Sequence, residues 1–138
     1  VFGDALTLIK DSHASFVNLE CPLTTCNSPI VKSGPNLIAH PDCINALKYF
    51  SVIGLANNHI MDFGITGLSN TINACESINV PTTGAGSNLI EAKRFNTITV
   101  EGLNVAIIAI AEHEFNQAGK NTAGSASIDV IDNYFVRI

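Results

Sequence analysis

Basic side chains are scarce in this chain. Lys and Arg number seven against twelve Asp and Glu, the formal net charge is −5, and the seven are scattered. Without a basic patch there is no electrostatic footprint for a phosphate backbone, which excludes nucleic acid as the expected partner. Long apolar runs are missing too, and none reaches the roughly 20 residues a bilayer-spanning helix needs. No secretory leader pattern is visible. Cysteines are few: Cys21 and Cys26 form an isolated C-x4-C, and Cys43 and Cys75 stand alone in helical patterns. That is neither a paired zinc spacing nor a disulfide scaffold, so ordinary free thiols are expected. His13 and His40 complete no metal site by spacing. Gly84-Ala85-Gly86 is too short and misplaced for a dinucleotide fingerprint. Internal repeats and low-complexity segments are absent.

What is present suits one domain with a real core. The chain has 138 residues, 46% hydrophobic and only 14% charged, the balance of a buried, sheet-rich protein. It opens on Val1 and closes on the apolar Val136-Arg137-Ile138. Both ends are expected to be cut from a longer protein, so the missing leader says nothing about where the parent resides.

The rest of the chain is organised around Ser51 to Gly64. Ser51 to Ala56 is an apolar run of buried-strand length, followed abruptly by Asn57, Asn58, His59 and Asp62. Polar groups at the carboxyl end of a strand stand where ligands bind in open α/β sheets. An amide oxygen, an imidazole and a carboxylate within six residues can bind a metal or move a proton. An Asn-rich turn with a hydrogen-bonded His is the plain alternative.

In chain order, Ala5, Leu6, Leu8 and Ile9 share a helical face, with Asp4 as expected N-cap. Gly3-Asp4 and Asp11-Ser12-His13 look like metal motifs but precede apolar strands instead of following them, so neither is expected to ligate. Phe16, Val17 and Leu19 read as a strand stopped by Pro22. Asn18 and Glu20, two apart, project from one face near its end. A solvent-facing edge pair is the alternative. Thr24 to Leu37 reads as a loop, and Leu37 to Ala39 as a brief strand. His40-Pro41-Asp42 opens a helix to about Phe50. Ile65, Leu68, Ile72, Cys75 and Ile78 predict an amphipathic helix on the sheet. Val80 to Gly86 reads as a short strand and turn, and Leu89 to Lys93 as one or two helical turns. Phe95 to Val100 and Leu103 to Ala111 predict a hairpin whose second arm is a central strand. Asn116 to Ser127 reads as a flexible loop, and Asp129 to Ile138 as the start of a helix.

Three strands thus deliver polar residues at their carboxyl ends: Asn18 with Glu20, Asn57 to Asp62, and Glu112-His113-Glu114. Strands alternating with helices predict a layered α/β sheet. In a parallel arrangement the three clusters would meet on one rim.

Several motifs in order resemble the CapA family of bacterial capsule-synthesis, or poly-γ-glutamate synthesis, proteins. They are Asn18-Leu19-Glu20 with Pro22-Leu23-Thr24, and Leu55-Ala56-Asn57-Asn58-His59 with Asp62, Gly64, Gly67-Leu68 and Thr71. Gly84-Ala85-Gly86 with Glu91-Ala92 completes the set. The resemblance covers about residues 2–138. It implies a fold similar to the calcineurin-like metallophosphoesterases: a layered β-sandwich flanked by helices, incomplete here at both ends. It also implies divalent metal ions (Mn2+, Zn2+ or Mg2+), with Asn18, Glu20 and Asn58 as ligands and Glu114 as a further candidate. His59 and Asp62 form the implied catalytic set. His59 would donate a proton or orient a leaving group, and Glu20 or Asp62 would fix its tautomer. The family's first Gly-Asp strand and its later His-containing motifs are not in this sequence. The superfamily's usual second-motif Asp is replaced by Asn or Glu.

Two functional classes follow from the resemblance. One is a metal-dependent hydrolase or transferase of the bacterial envelope, acting on a phosphoester or a γ-glutamyl amide. The other is a non-catalytic subunit of the poly-γ-glutamate synthesis and export machinery that holds the anionic polymer. Both imply other capsule-synthesis proteins as partners and the cell envelope as the parent's location. A chain of charge −5 holds a polyanion poorly without bound cations.

Overall fold

A computed structural model describes residues 2–112 and 116–130. Helix α1 (Ala5–Asp11) leads into β1 (Phe16–Asn18), and a 3-10 helix (Pro41–Tyr49) leads into β2 (Val52–Gly54). After α2 (Gly64–Ser77) come β3 (Thr82–Thr83), β4 (Ala85–Gly86) and α3 (Leu89–Ala92). The hairpin β5 (Asn96–Val100) and β6 (Leu103–Ile107) follows, then β7 (Gly124–Ser125) and a 3-10 turn, Ile128–Val130.

The strands β1, β2 and β3 form one parallel sheet in that order, Val17 opposite Ile53 and Gly54 opposite Thr83. All three residues of the middle strand β2 are buried, as a strand covered on both faces requires. One core lies between this sheet, α2 and the 3-10 helix. Ile53, Leu55, Ile60, Leu68, Cys75 and Leu47 pack there, with Val17 and Leu19 against them. Each large aliphatic side chain so buried contributes about 1.5–3 kcal/mol. The buried face of α2 is Gly67, Leu68, Thr71 and Cys75. Thr71 ties the helix to the turn after β1: its hydroxyl accepts from the Leu23 N–H at 2.8 Å and donates to the Gly67 carbonyl at 2.7 Å.

Two glycines at and beside the sheet are closely crowded by neighbouring residues. A side chain at Gly54 would meet the Phe16 ring at 2.5 Å and Ala109 Cβ at 3.4 Å. Gly84 sits at φ +98°, and a side chain there would meet Ala56 and Ala109.

Four expectations are corrected. Asp4 precedes α1 but makes no capping bond, because its own backbone is already helical (φ −65°, ψ −23°), which aims the carboxylate away from the free amides. Ile65 is 64% exposed and outside the α2 stripe, standing in the first turn before the helix meets the core. The segment Leu103 to Ala111 is not a central strand. Its β6 portion pairs with β5 in a two-stranded sheet, with Leu103 70% exposed. An all-apolar run does not itself reveal how many neighbours a strand has. Residues 108–111 leave the hairpin, and the Ala111 N–H donates to the Ala126 carbonyl at 2.8 Å. Asn116 to Ser127 is ordered by packing: its small residues Ala118 and Ala126 bury against Ala92, and β7 pairs antiparallel with β4. The helix expected from Asp129 lies largely outside the described residues, as do His113 and Glu114.

Candidate active site

Parallel pairing sends the carboxyl ends of β1, β2 and β3 to the same side of the sheet. Beyond β2, Leu55 and Ala56 carry the chain to Asn57, whose side chain clasps the two strand ends together. Its Nδ2 donates to the Leu19 carbonyl at 2.9 Å and to Asn18 Oδ1 at 3.2 Å. Its Oδ1 accepts the His59 N–H at 3.0 Å, an Asx turn that starts the bend into the site. The Asn57 carbonyl accepts from Asn116 Nδ2 at 3.2 Å, which draws the small-residue segment to the same rim.

The bend closes when the Asp62 N–H donates to the His59 carbonyl at 2.9 Å. It returns the Asp62 carboxylate beneath the imidazole, with Oδ2 2.8 Å from His59 Nδ1. The Asp62 side chain is fully buried, and that of His59 is 13% exposed. A buried carboxylate needs a countercharge, and Lys32 supplies it. The Lys32 ammonium, 5% exposed, ion-pairs with Asp62 Oδ1 and lies 3.1 Å from His59 Nδ1. The Leu37 N–H donates to Asp62 Oδ2 at 2.7 Å, and the Ile30 N–H to the Asp62 carbonyl at 2.9 Å. Burial pushes the Asp62 carboxyl up. Hydrogen bonds from Lys32, His59 and Leu37, with the charge of Lys32, outweigh it and hold the group below its ordinary range.

The expected site residues divide three ways. His59 and Asp62 are in direct contact. Asn18 meets Asn57, not Asn58. Glu20 is exposed just past β1 and Asn58 is half-buried, and neither side chain joins the network of His59, Asp62 and Lys32. Glu112 is exposed after Ala111. Asp4 precedes α1 and Asp11 is its last residue, and His13 pairs with Glu101 at 2.9 Å on the exposed surface.

Lys32 went unread in the sequence, and Asn57 was read only as one of the polar residues after the strand or as part of an Asn-rich turn. Lys32 comes from a loop without periodicity, 27 residues before His59, and no local pattern marks it. Asn57 had a usable signal, since an Asn two residues before a turn amide is a standard Asx-turn position.

Among the described residues, no group of three or more His, Cys, Asp or Glu is placed to hold a metal ion. The expected ligands Asn18, Glu20 and Asn58 carry one formal charge between them, and Asn18 Oδ1 is engaged by Asn57. Hard divalent cations require several anionic oxygens. These residues alone do not make such a site.

The fold and rim therefore define a class: an α/β chain with a buried, charge-balanced His–Asp pair at the carboxyl ends of parallel strands. The sequence profile of the family described as bacterial capsule synthesis protein PGA_cap matches residues 1–133. The chain belongs to this family.

Its relatives agree. A "Probable polyglutamine synthesis accessory protein" of Mycobacterium tuberculosis is 33% identical over 103 residues, covering 72% of this chain and 27% of its own length. The capsule biosynthesis protein CapA of Bacillus anthracis is 33% identical over 117 residues, covering 81% and 28% respectively. The PGA biosynthesis protein CapA of Bacillus subtilis is 32% identical over 99 residues, covering 68% and 26%. The matches span about a quarter of the length of each relative.

Proposed function

We propose that this chain carries the acid–base element of a hydrolase or transferase site in a capsule or poly-γ-glutamate biosynthesis protein. The observation that carries the reading is the fully buried Asp62 carboxylate 2.8 Å from His59 Nδ1. A carboxylate so placed fixes the ring's orientation by accepting a hydrogen bond from Nδ1–H, leaving Nε2 to act. Nε2 can accept a proton from an attacking hydroxyl or water and return it to a leaving oxygen or nitrogen. A phosphoester and a γ-glutamyl amide both present such a bond. A layered calcineurin-like sandwich and a divalent ion, which would polarise the scissile group, belong to this proposal only for the whole protein.

The alternative is a non-catalytic subunit that holds the acidic polymer. It is disfavoured by the electrostatics, because the cation at the rim, Lys32, is already neutralised by Asp62. The deciding experiment uses the full-length protein. Phosphate release from an aryl phosphoester and amine release from a γ-glutamyl amide are followed with and without Mn2+ or Zn2+, alongside bound metal by mass spectrometry. The expected result is turnover of one substrate, reduced about 10²–10⁴-fold in His59→Ala. Retention of the polymer without turnover of either substrate would favour the holding role.

A further inference from the structure

We propose that the cleft between α1 and the 3-10 helix is a binding site for a small amphiphilic anion, an apolar body ending in one carboxylate. The cleft shares no residue with the His59–Asp62 pair, so the inference does not rest on the acid–base reading.

Two periodicities shape the cleft. Every third residue of a 3-10 helix eclipses the one before, so Cys43, Ala46 and Tyr49 form one ridge. Residues four apart on an α-helix share a face, so Leu6 and Lys10 stand together on α1, with Phe2 just ahead of them. Ridge and face enclose a cleft of about 320 Å³, at the small end of the range for small-molecule sites. Phe2, Leu6, Ala46 and Tyr49 give it apolar walls. An edge-to-face contact of Phe2 with Phe50, ring centroids 5.6 Å apart, fixes the chain ahead of α1. Helix α1 has seven residues, and none of them is buried. A helix so short has little stability of its own, and an apolar body in the cleft would supply the packing it lacks.

The charge of the ligand follows from two lysines. Basic residues are scattered in the sequence, yet two converge in the fold on one ring. Lys10 Nζ lies 4.9 Å from the Tyr49 ring centroid, and Lys48 Nζ lies 5.3 Å from it. A ring face orders an ammonium but does not cancel its charge. Among the described residues no carboxylate pairs with either lysine. Each stands in the last turn of its helix, where the terminal carbonyls carry only about half a negative charge. A net positive charge therefore remains at the Tyr49 end of the cleft, and a carboxylate there would relieve the repulsion between the ammoniums. The acid in the lining, Asp42, is 88% exposed and lies 3.3 Å from His40 Nδ1, so its charge is screened by solvent.

Cys43 reports occupancy, because it lines the cleft and is exposed. The test treats the full-length protein with a disulfide reagent at pH 8 while octanoate is titrated, and maps labelling peptide by peptide. Octanoate should slow the labelling of Cys43 saturably and leave that of Cys26 unchanged. Octanol, which lacks the charge, and acetate, which lacks the chain, should each protect at least about tenfold less well. Lys10→Met combined with Lys48→Met should raise the octanoate concentration needed by about 10–100-fold, and arginine at both positions should restore it. Ala46→Phe, which fills the cleft, should abolish protection. If that variant does not fold, Ala46→Leu is read in its place. Absence of saturable protection, equal protection by octanol, or full protection in the double methionine variant overturns the proposal. So does a Cys43 that resists the reagent in the full-length protein without octanoate, which would show the cleft filled by another part of the chain.

Discussion

Lys32 and Asp62, 30 residues apart in the chain, form an ion pair in which neither side chain is more than 5% exposed. The pair sits directly behind the imidazole of His59. Three of the four donors described at Asp62 and its carbonyl come from residues 30–37. A loop without secondary structure is thereby fixed to the rim of the sheet.

The first prediction concerns the stability of this pair. Asp62→Asn removes the carboxylate from this buried ion pair and should destabilise the protein by about 3–5 kcal/mol. The pH dependence follows from the lowered carboxyl of Asp62. In the unfolded chain the group titrates near 3.8, and in the folded protein below that. Its contribution is therefore fully present above 3.8 and is lost as pH falls from there through the folded value. Urea denaturation between pH 7 and pH 2.5 should show this loss in wild type and its absence in Asp62→Asn. Parallel pH profiles for the two proteins would contradict it.

Adjacent asparagines should behave very differently. Asn57 holds Leu19, Asn18 and the His59 amide, so Asn57→Ala breaks several part-buried hydrogen bonds and should remove about 2 kcal/mol. Asn58 takes no part in that clasp, and Asn58→Ala should stay within about 0.5–1 kcal/mol of wild type. Denaturant midpoints at matched m-values measure both. Equal losses would show that the rim is not held as described.

Two glycines with positive φ separate backbone strain from crowding. Gly102, φ +83°, turns the β5–β6 hairpin with open space around it. Gly102→Ala should forfeit only the conformational term, about 1 kcal/mol. At Gly84 a methyl group would lie 2.7 Å from Ala56 Cβ and 2.8 Å from Ala109 Cβ. Gly84→Ala should therefore be worse by a further 1–3 kcal/mol, roughly the penalty of overpacking. Thermal melts that rank Gly102→Ala as the more damaging change would refute this.

Thiol chemistry gives a check that needs no variant. All four cysteines are free. Cys75 is buried and its thiol is pushed up to about 12, first by burial and then by neighbouring Glu76. Burial, then the neighbouring Cys43, raises half-buried Cys21. Cys43 is exposed. A disulfide reagent at pH 8 should label Cys43 first and reach Cys75 only on unfolding. Peptide mapping of labelled sites over time reads the order, and early labelling at Cys75 would show that the core opens.

Much of the frame was legible because local rules and burial agree there. Apolar runs marked β1 and β2, the 3-10 helix opened at His40-Pro41 as expected, and the Leu68–Cys75 spacing found the buried face of α2. Glu101-Gly102 correctly marked the hairpin turn. The errors arose where one signal has two physical causes. The apolar run at Val105 to Ala111 reports hydrophobicity, not the number of neighbouring strands. The Ala, Gly and Ser of residues 116–127 resemble a flexible loop, yet small side chains are also what lets a backbone pack closely. At the site, His59 with Asp62 was readable from three-residue spacing. Lys32 was not, because its position depends on how a long loop returns to the sheet.

The Asn57 amide has one further consequence. The sheet's hydrogen-bonding ladder ends within a residue of Gly54, and a single planar side chain continues it, touching β1 on one side and the His59 amide on the other. An amide plane cannot stretch, and its only soft motions are two torsions, both engaged here. The height of the imidazole above the strand ends is thus gauged by a rigid part of fixed length, much as a machinist's block sets a gap.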